Sequence, residues 1–438
     1  MIAGIYDFVK KINTQSEVHG FLMGPHGIMN GRSRLITPEY MELFRNQGGF
    51  DMICSGRDKI EKPEQFASSL KVAQEMDLDG IVVIGGDDSN TNACLLGEYF
   101  AKHESKCKVI GAPKTIDGDL MNQYIPCSFG FHTATRTFAE LIGNICLDTI
   151  SSKKYYHFIR LMGRSASHIA LECALLTRPN VTFIGEEVAA KKLSLKDITN
   201  TLADIICTRS KDGKDFGIVL VPEGLIEFIP EINLLISAIN TEFGKHEEHL
   251  KTLKSLSEIR DFTLAYLSPE LVDTFKFLPH TIAEQLLLDR DSHGNVQVSK
   301  IDTEKLLILL VQTELAERSS KGTYKGHFVA QSHFFGYEGR CGLPSVFDSE
   351  YCYSIGHAAG ALISLGYSGY MATIQKIASN VPSSQWVASG SPLPIMMHME
   401  KRKGKNIPVI KKALVELDGP VFKAFQEVRD IWAIRDCY

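Results

Sequence analysis

Two short acidic segments stand out as places where this chain could do chemistry. The first is Ile84-Gly85-Gly86-Asp87-Asp88-Ser89-Asn90, directly after an apolar run, and the second is Pro113-Lys114-Thr115-Ile116-Asp117-Gly118-Asp119. Paired glycines let a ligand approach the backbone, and Asp88 or Ser89 can cap a following helix. A helix N-terminus offers unpaired N–H groups and the positive end of its dipole, an environment that suits a phosphate. Carboxylates beside a phosphate require a cation between them, and Mg2+ takes one or two carboxylates together with phosphate oxygens. In the second segment a carboxylate can accept the proton of an attacking hydroxyl. Lys114 supplies a point charge for a transferring phosphoryl group, whose barrier falls mainly through positioning and electrostatics. Either segment alone also reads as an ordinary Asp-containing turn. At the ends of successive strands, the two can share one crevice.

Three further segments suit a phosphorylated sugar. Met162-Gly163-Arg164 stands at a strand-to-helix junction, where Gly allows close approach and Arg can grip a phosphate. Pro222-Glu223-Gly224 places a carboxylate able to accept from sugar hydroxyls, and Tyr337-Glu338-Gly339-Arg340 offers a second guanidinium. Each of these alone reads as a loop more readily than as a site. The sequence contains no G-x-x-x-x-G-K-[ST], no G-x-G-x-x-G and no G-x-S-x-G, which disfavours a Walker-type nucleotide loop, a dinucleotide enzyme and a nucleophile elbow.

The elements that must position these residues follow a pattern. Short apolar runs at Gly80–Ile84, Cys107–Ile110, Tyr156–Leu161, Val181–Ile184 and Gly217–Val221 predict strands. Stretches with helical spacing lie between them, at Phe66–Met76, Asn90–Lys102, Thr133–Asn144 and Ser165–Leu176. Strand and helix in alternation predict an α/β fold, parallel sheets with helices on both faces, and ligands beyond the carboxyl ends of the strands. From about residue 230 to 324 the pattern turns to helices, a predicted insertion. Within it, His246-Glu247-Glu248-His249 reads as a solvated helix face, because the metalloprotease order of residues is absent. Strand-like alternation returns at His327–Gln331 and around Tyr370–Ile374. Ile2, Ile5, Phe8, Val9 and Ile12 share one helical face, so Met1 is expected inside a helix, with no strand and Gly-rich turn before it. The expectation is a chain shortened at its N-terminus, with a gap or a new edge in its sheet.

GGDDS, PKTIDGD, MGR, PEG and YEGR, in this order, resemble the phosphofructokinase family, specifically its long pyrophosphate-dependent branch, over essentially the whole chain. The resemblance implies two doubly wound, Rossmann-like domains. One comprises residues 1–149 and 341–400 and handles the phosphoryl donor; the other comprises 150–340 and 401–438 and binds fructose 6-phosphate. It implies Mg2+ at Asp87, with Asp117 as proton acceptor for the sugar's 1-hydroxyl and Asp119 as a supporting acid. Gly85, Gly86, Ser89 and Lys114 would bind the donor. Asp88 stands where ATP-using relatives have Gly, and would repel a nucleotide's α-phosphate. Thr115 and Ile116 would line the sugar site, with Met162, Gly163, Arg164, Glu223, Tyr337, Glu338, Gly339 and Arg340. Lys154 and Tyr155 match positions that reach a neighbouring subunit's sugar site, which implies a homodimer or larger assembly. The family's Gly-rich turn would precede Ile2 and is absent from the sequence. An impaired or regulatory subunit of the family, and an ATP-dependent enzyme, are the alternatives.

Composition agrees with a folded chain. At 438 residues the chain is long enough for two or three domains, and its net charge of -5 argues against a general nucleic-acid binder. Ten isolated cysteines, without a Cys-x-x-Cys pair, read as a reduced, cytoplasmic protein. No run of about 20 apolar residues predicts a membrane span, and the first residues lack a signal-peptide pattern.

Overall fold

The structure is a computed structural model. It describes every residue except 49, 57, 254, 291–294, 378–380 and 403–404, and for 400–402 and 405–407 the backbone alone. Residues 254 and 291–294 of the expected insertion therefore lie outside the described residues.

The chain forms two compact units, Met1–Ala134 with Cys341–Ala413, and Thr135–Arg340 with Leu414–Tyr438. The first change of unit falls in the opening turn of the Phe131–Ser152 helix, against 149 in the sequence reading, and the last at Ala413, against 400. Both shifts have one cause: a helix and a returning chain segment carry no local mark of which core they join.

In the first unit a four-stranded sheet runs in the order Val387–Pro392, Tyr370–Gln375, Lys108–Pro113, Gly80–Gly85. The last three strands are parallel, and Val387–Pro392 is antiparallel to its neighbour. Lys108–Pro113 pairs with Gly80–Gly85 over six residues but with Tyr370–Gln375 over only two, Ile110 opposite Tyr370 and Gly111 opposite Met371. Lys108–Pro113 is apolar and buried along almost its whole length, as a strand covered on both faces should be. The Asp87–Lys102 helix covers it through Ala93, Leu96 and Phe100, which pack with Val109 and Met371. The Val346–Ser364 helix packs on the strands through Ile355, Ala359 and Leu362, and the Ile2–Ile12 helix packs against that helix in turn.

In the second unit the order is Val181–Thr182, Gly217–Pro222, Tyr156–Leu161, Ala330–Phe335, all parallel. Tyr156–Leu161 and Gly217–Pro222 are buried at every position. The helices of residues 230–324 join the same core, where Leu235, Ile239, Leu286, Leu307 and Val311 pack with Leu202, Ile206 and Val219. The strand expected at His327–Gln331 forms three residues later, at Ala330–Phe335. Its register with Tyr156–Leu161 decides this, since each Ala330–Phe335 residue pairs in turn along that strand. Glu247 and Glu248 face solvent beside Lys251, as the solvated-face reading requires. Among the described residues no helix is long and apolar enough to cross a membrane.

Candidate active site

Parallel register brings the two acidic segments of the first unit together. Gly85 lies opposite Pro113, so both strands end at the same level, and the Lys114 N–H donates to the Gly85 carbonyl at 2.8 Å. Asn90 locks this junction from beneath. Its fully buried amide donates to the carbonyls of Gly85 at 2.7 Å and Gly86 at 2.9 Å, with Ala112 at 3.4 Å. Gly111 completes the arrangement, since a Cβ there would collide with the Asn90 side-chain oxygen. Asn90→Ala leaves buried carbonyls without their donor, which costs about 1–3 kcal/mol. The expected result is a lower melting midpoint by circular dichroism; an unchanged midpoint would show that other contacts hold the strand tips.

The helix begins at Asp87, one turn earlier than the apolar spacing suggested. Gly86 occupies the N-cap position and no side chain bonds there, so neither Asp88 nor Ser89 acts as the cap. Both acids instead fall in the first helical turn, where the dipole favours negative charge. Asp88 is half exposed and pairs with Lys59 at 3.1 Å; Asp87 is more sheltered and lies 3.7 Å from Lys412. Ser89 packs under Gly85 in the same turn.

The second segment folds over this junction. The Asp117 N–H donates to the Thr115 hydroxyl at 3.1 Å, and Ser128 donates to the Thr115 carbonyl at 2.7 Å. Ile116 packs beside Gly130. The Lys114 ammonium sits over the Phe50 ring, 4.2 Å from its centroid. Asp119 is buried, and burial pushes its carboxyl up to about 6; the neighbouring charges of Asp117 and Asp87 act in the same direction, while Lys412 and a Thr115 hydrogen bond oppose them. Asp87, Asp117 and Asp119 therefore share one electrostatic field. The two neighbouring charges thus add to the burial that disfavours ionisation of Asp119, and a cation would offset them.

That condition suits Mg2+. Among the described residues no group of three or more His, Cys, Asp or Glu is arranged to hold a metal ion by itself. Mg2+ does not need such a cage, because it binds through one or two carboxylates and takes its remaining ligands from phosphate and water. The part-exposed Asp87 carboxylate and the excess negative charge around it fit this donor set.

The second unit gathers a different set in the same way. Leu161 is in register with both Pro222 and Phe335, so three strands end together. The Met162 N–H donates to the Phe335 carbonyl at 3.0 Å, and the Glu223 N–H to the Leu161 carbonyl at 2.9 Å. Glu223 is buried, accepts the Gly163 N–H at 2.9 Å, and has its carboxyl raised by burial. A Cβ at Gly224 would collide with the Arg164 carbonyl, so this close approach needs glycine. Arg164 and Arg340 are both exposed, and Arg340 lies over the Tyr337 ring at 4.5 Å from its centroid. Glu338 is exposed beside them, and Gly339 is buried against Phe138. Lys154 and Tyr155 are not part of this group. They precede Tyr156, at the opposite end of a six-residue strand, roughly 20 Å away at about 3.3 Å per residue.

Sequence reading missed Asn90 as a strut, and Lys59 and Lys412 as the cations beside Asp88 and Asp87. Asn90 had a signal, a polar residue at a helix position that faces the sheet. The two lysines had none, since they reach the acids from distant parts of the chain.

Comparison with known proteins agrees with this geometry. The family model described as Phosphofructokinase matches residues 1–363. The chain is 52% identical over 438 residues to the pyrophosphate--fructose 6-phosphate 1-phosphotransferase subunit beta of Solanum tuberosum, covering 100% of this chain and 75% of that protein. It is 50% identical over 438 residues to the pyrophosphate--fructose 6-phosphate 1-phosphotransferase of Porphyromonas gingivalis, covering 100% of this chain and 79% of that one. Among solved structures, the pyrophosphate-dependent phosphofructokinase of Nitrosospira multiformis shares the fold with a TM-score of 0.59 at 18% identity, over 89% of this chain and 78% of that chain. The chain belongs to the phosphofructokinase family, within the group of the pyrophosphate--fructose 6-phosphate 1-phosphotransferases.

Proposed function

We propose that this chain catalyses Mg2+-dependent phosphoryl transfer from pyrophosphate to the 1-hydroxyl of fructose 6-phosphate, giving fructose 1,6-bisphosphate and phosphate. The observation that carries the reading is the shared field of Asp87, Asp117 and Asp119 at two strand tips in register. Relatives about half identical over the whole chain support it.

In this reading the first unit handles the donor. Gly85, Gly86 and Ser89 let pyrophosphate approach the helix N-terminus, where N–H groups face the anion. Mg2+ at Asp87, when bound, supplies the positive charge that lets the donor lie among carboxylates. Asp117 accepts the proton of the sugar's 1-hydroxyl as its oxygen bonds to phosphorus, and the bond to the departing phosphate breaks. Lys114 offsets the negative charge that shifts onto the leaving oxygen, and Asp119 supports the carboxylate arrangement. Thr115 orients Asp117 through its backbone N–H, and Ile116 lines the sugar.

The second unit supplies residues for the sugar phosphate. Arg164 and Arg340 suit its phosphate, while Met162, Gly163, Tyr337, Glu338 and Gly339 shape their surroundings. Glu223 holds the Gly163 turn and presents a carboxylate to hydroxyls. Lys154 and Tyr155 serve the sugar site of a neighbouring copy, which makes the working unit a homodimer or larger oligomer. The likeness to a protein named as a subunit supports assembly. Ten free thiols support a reducing compartment, the cytoplasm. The resemblance to the pyrophosphate-dependent branch supports a place in glycolysis and a reaction that runs in both directions.

The test is direct. Purified protein with fructose 6-phosphate and Mg2+ receives either pyrophosphate or ATP, and 31P NMR follows the products. Fructose 1,6-bisphosphate and phosphate should appear with pyrophosphate and far more slowly with ATP. Equal rates would favour the ATP-dependent alternative, and no product from either donor would favour the impaired-subunit alternative.

A further inference from the structure

We infer that Lys412 is a further donor-binding residue, whose ammonium group contacts the oxygens of inorganic pyrophosphate at the N-terminus of the Asp87–Lys102 helix. The inference rests on the proposed function and extends its donor site to a segment of chain far from both acidic motifs.

Lys412 is held in place on both sides. The Lys411 N–H donates to the Met396 carbonyl at 3.0 Å, and the Ala413 N–H donates to the Asp119 carbonyl at 2.7 Å. The strand pair Met397–Arg402 and Lys405–Ile410 leads into this segment, and Lys405–Ile410 packs against the Asp87–Lys102 helix. Met396 and Ile410 are buried in the same core as Ala93 and Leu96 of that helix. The helix that carries Asp87 at its tip therefore also fixes the approach of Lys412.

The ion pair itself is too loose to account for this positioning. Lys412 Nζ lies 3.7 Å from the Asp87 carboxylate, beyond the 2.7–2.9 Å of a charge-assisted hydrogen bond, with side-chain exposures of 41% and 26%. Such a part-exposed pair contributes little to stability. What it provides is charge in the right place. Pyrophosphate is a polyanion, and it must enter beside Asp87, Asp88, Asp117 and Asp119. Lys59 faces Asp88, and Lys412 brings positive charge beside Asp87. Asp87 would hold a divalent cation in the proposed site, and the Lys412 ammonium beside it would add positive charge for the donor's phosphate oxygens.

Steady-state kinetics and thermal shift on Lys412→Met and Lys412→Arg test this. Lys412→Met should raise KM for pyrophosphate by about tenfold or more while KM for fructose 6-phosphate stays within about twofold, and Lys412→Arg should restore most of the loss. Without sugar present, pyrophosphate with Mg2+ should raise the melting midpoint of the native protein and fail to raise that of Lys412→Met. An unchanged pyrophosphate KM, an undiminished thermal shift, or a parallel rise of both KM values with a lowered midpoint would each overturn the assignment. If the native protein turns over no pyrophosphate, the proposed function fails, and the thermal shift still decides Lys412.

Discussion

Asp117→Asn is expected to lower turnover by about 10²–10⁴-fold, the range contributed by a positioned general base. The amide is nearly isosteric with the carboxylate, and the Asp117 N–H keeps its bond to Thr115, so the loop should hold its course. The lost capacity is chemical, because an amide cannot take the proton of the attacking hydroxyl. Fructose 6-phosphate affinity should change little, since the guanidinium groups assigned to its phosphate, Arg164 and Arg340, are untouched. Turnover by coupled assay and sugar binding by calorimetry separate the two effects. Turnover within about tenfold of the native value would exclude Asp117 as the base. A second consequence follows from the shared field: with one carboxylate neutralised, the rise in the Asp119 carboxyl should diminish, because Asp117 is the larger of the two neighbouring charges that raise it.

Joint replacement of Asp88 and Lys114 by Gly is expected to shift donor preference from pyrophosphate towards ATP by about 10²-fold or more. The Asp88 carboxylate lies in the first turn of the helix; in the proposed donor site a nucleotide's α-phosphate would approach it, and like charges brought together cost several kcal/mol. At about 1.4 kcal/mol per tenfold, removing that repulsion alone accounts for the expected factor. In the proposed reaction the Lys114 ammonium, which lies over Phe50, is the point charge that serves the smaller donor, so its loss should depress pyrophosphate turnover. Asp88 is half exposed and its partner Lys59 is part-buried, so loss of this pair should lower stability only modestly. Ratios of kcat/KM for the two donors measure the outcome. A ratio that stays constant while both rates fall would remove Asp88 from any part in donor choice.

Much of the site could be read in the linear chain because its signals are local. An apolar run broken by glycines and followed by acids is a strand tip whatever surrounds it, and Gly85 to Asp88 and Pro113 to Asp119 needed no partner to be recognised. The same holds for Met162 to Arg164 and for Glu223, each of which follows a strand buried at every position. Local signals failed where a feature depends on its neighbours. The local pattern allows Asp88 or Ser89 as the helix cap, yet Gly86 takes that position, directly after the strand that ends at Gly85. The Ala330–Phe335 strand was displaced by three residues, since its limits come from pairing with Tyr156–Leu161.

By itself, the amino-acid sequence determined the α/β alternation, the two acidic strand tips and the class of chemistry that acids, a lysine and glycines can perform there. Only the tertiary structure decided that Gly85 lies opposite Pro113, that Asn90 ties the two strand ends, and that Lys59 and Lys412 arrive beside Asp88 and Asp87. The division has a physical origin. Turn and strand preferences are set within a few residues, whereas register and charge pairing depend on separate segments, tens to hundreds of positions apart, that meet only when a common core draws them together.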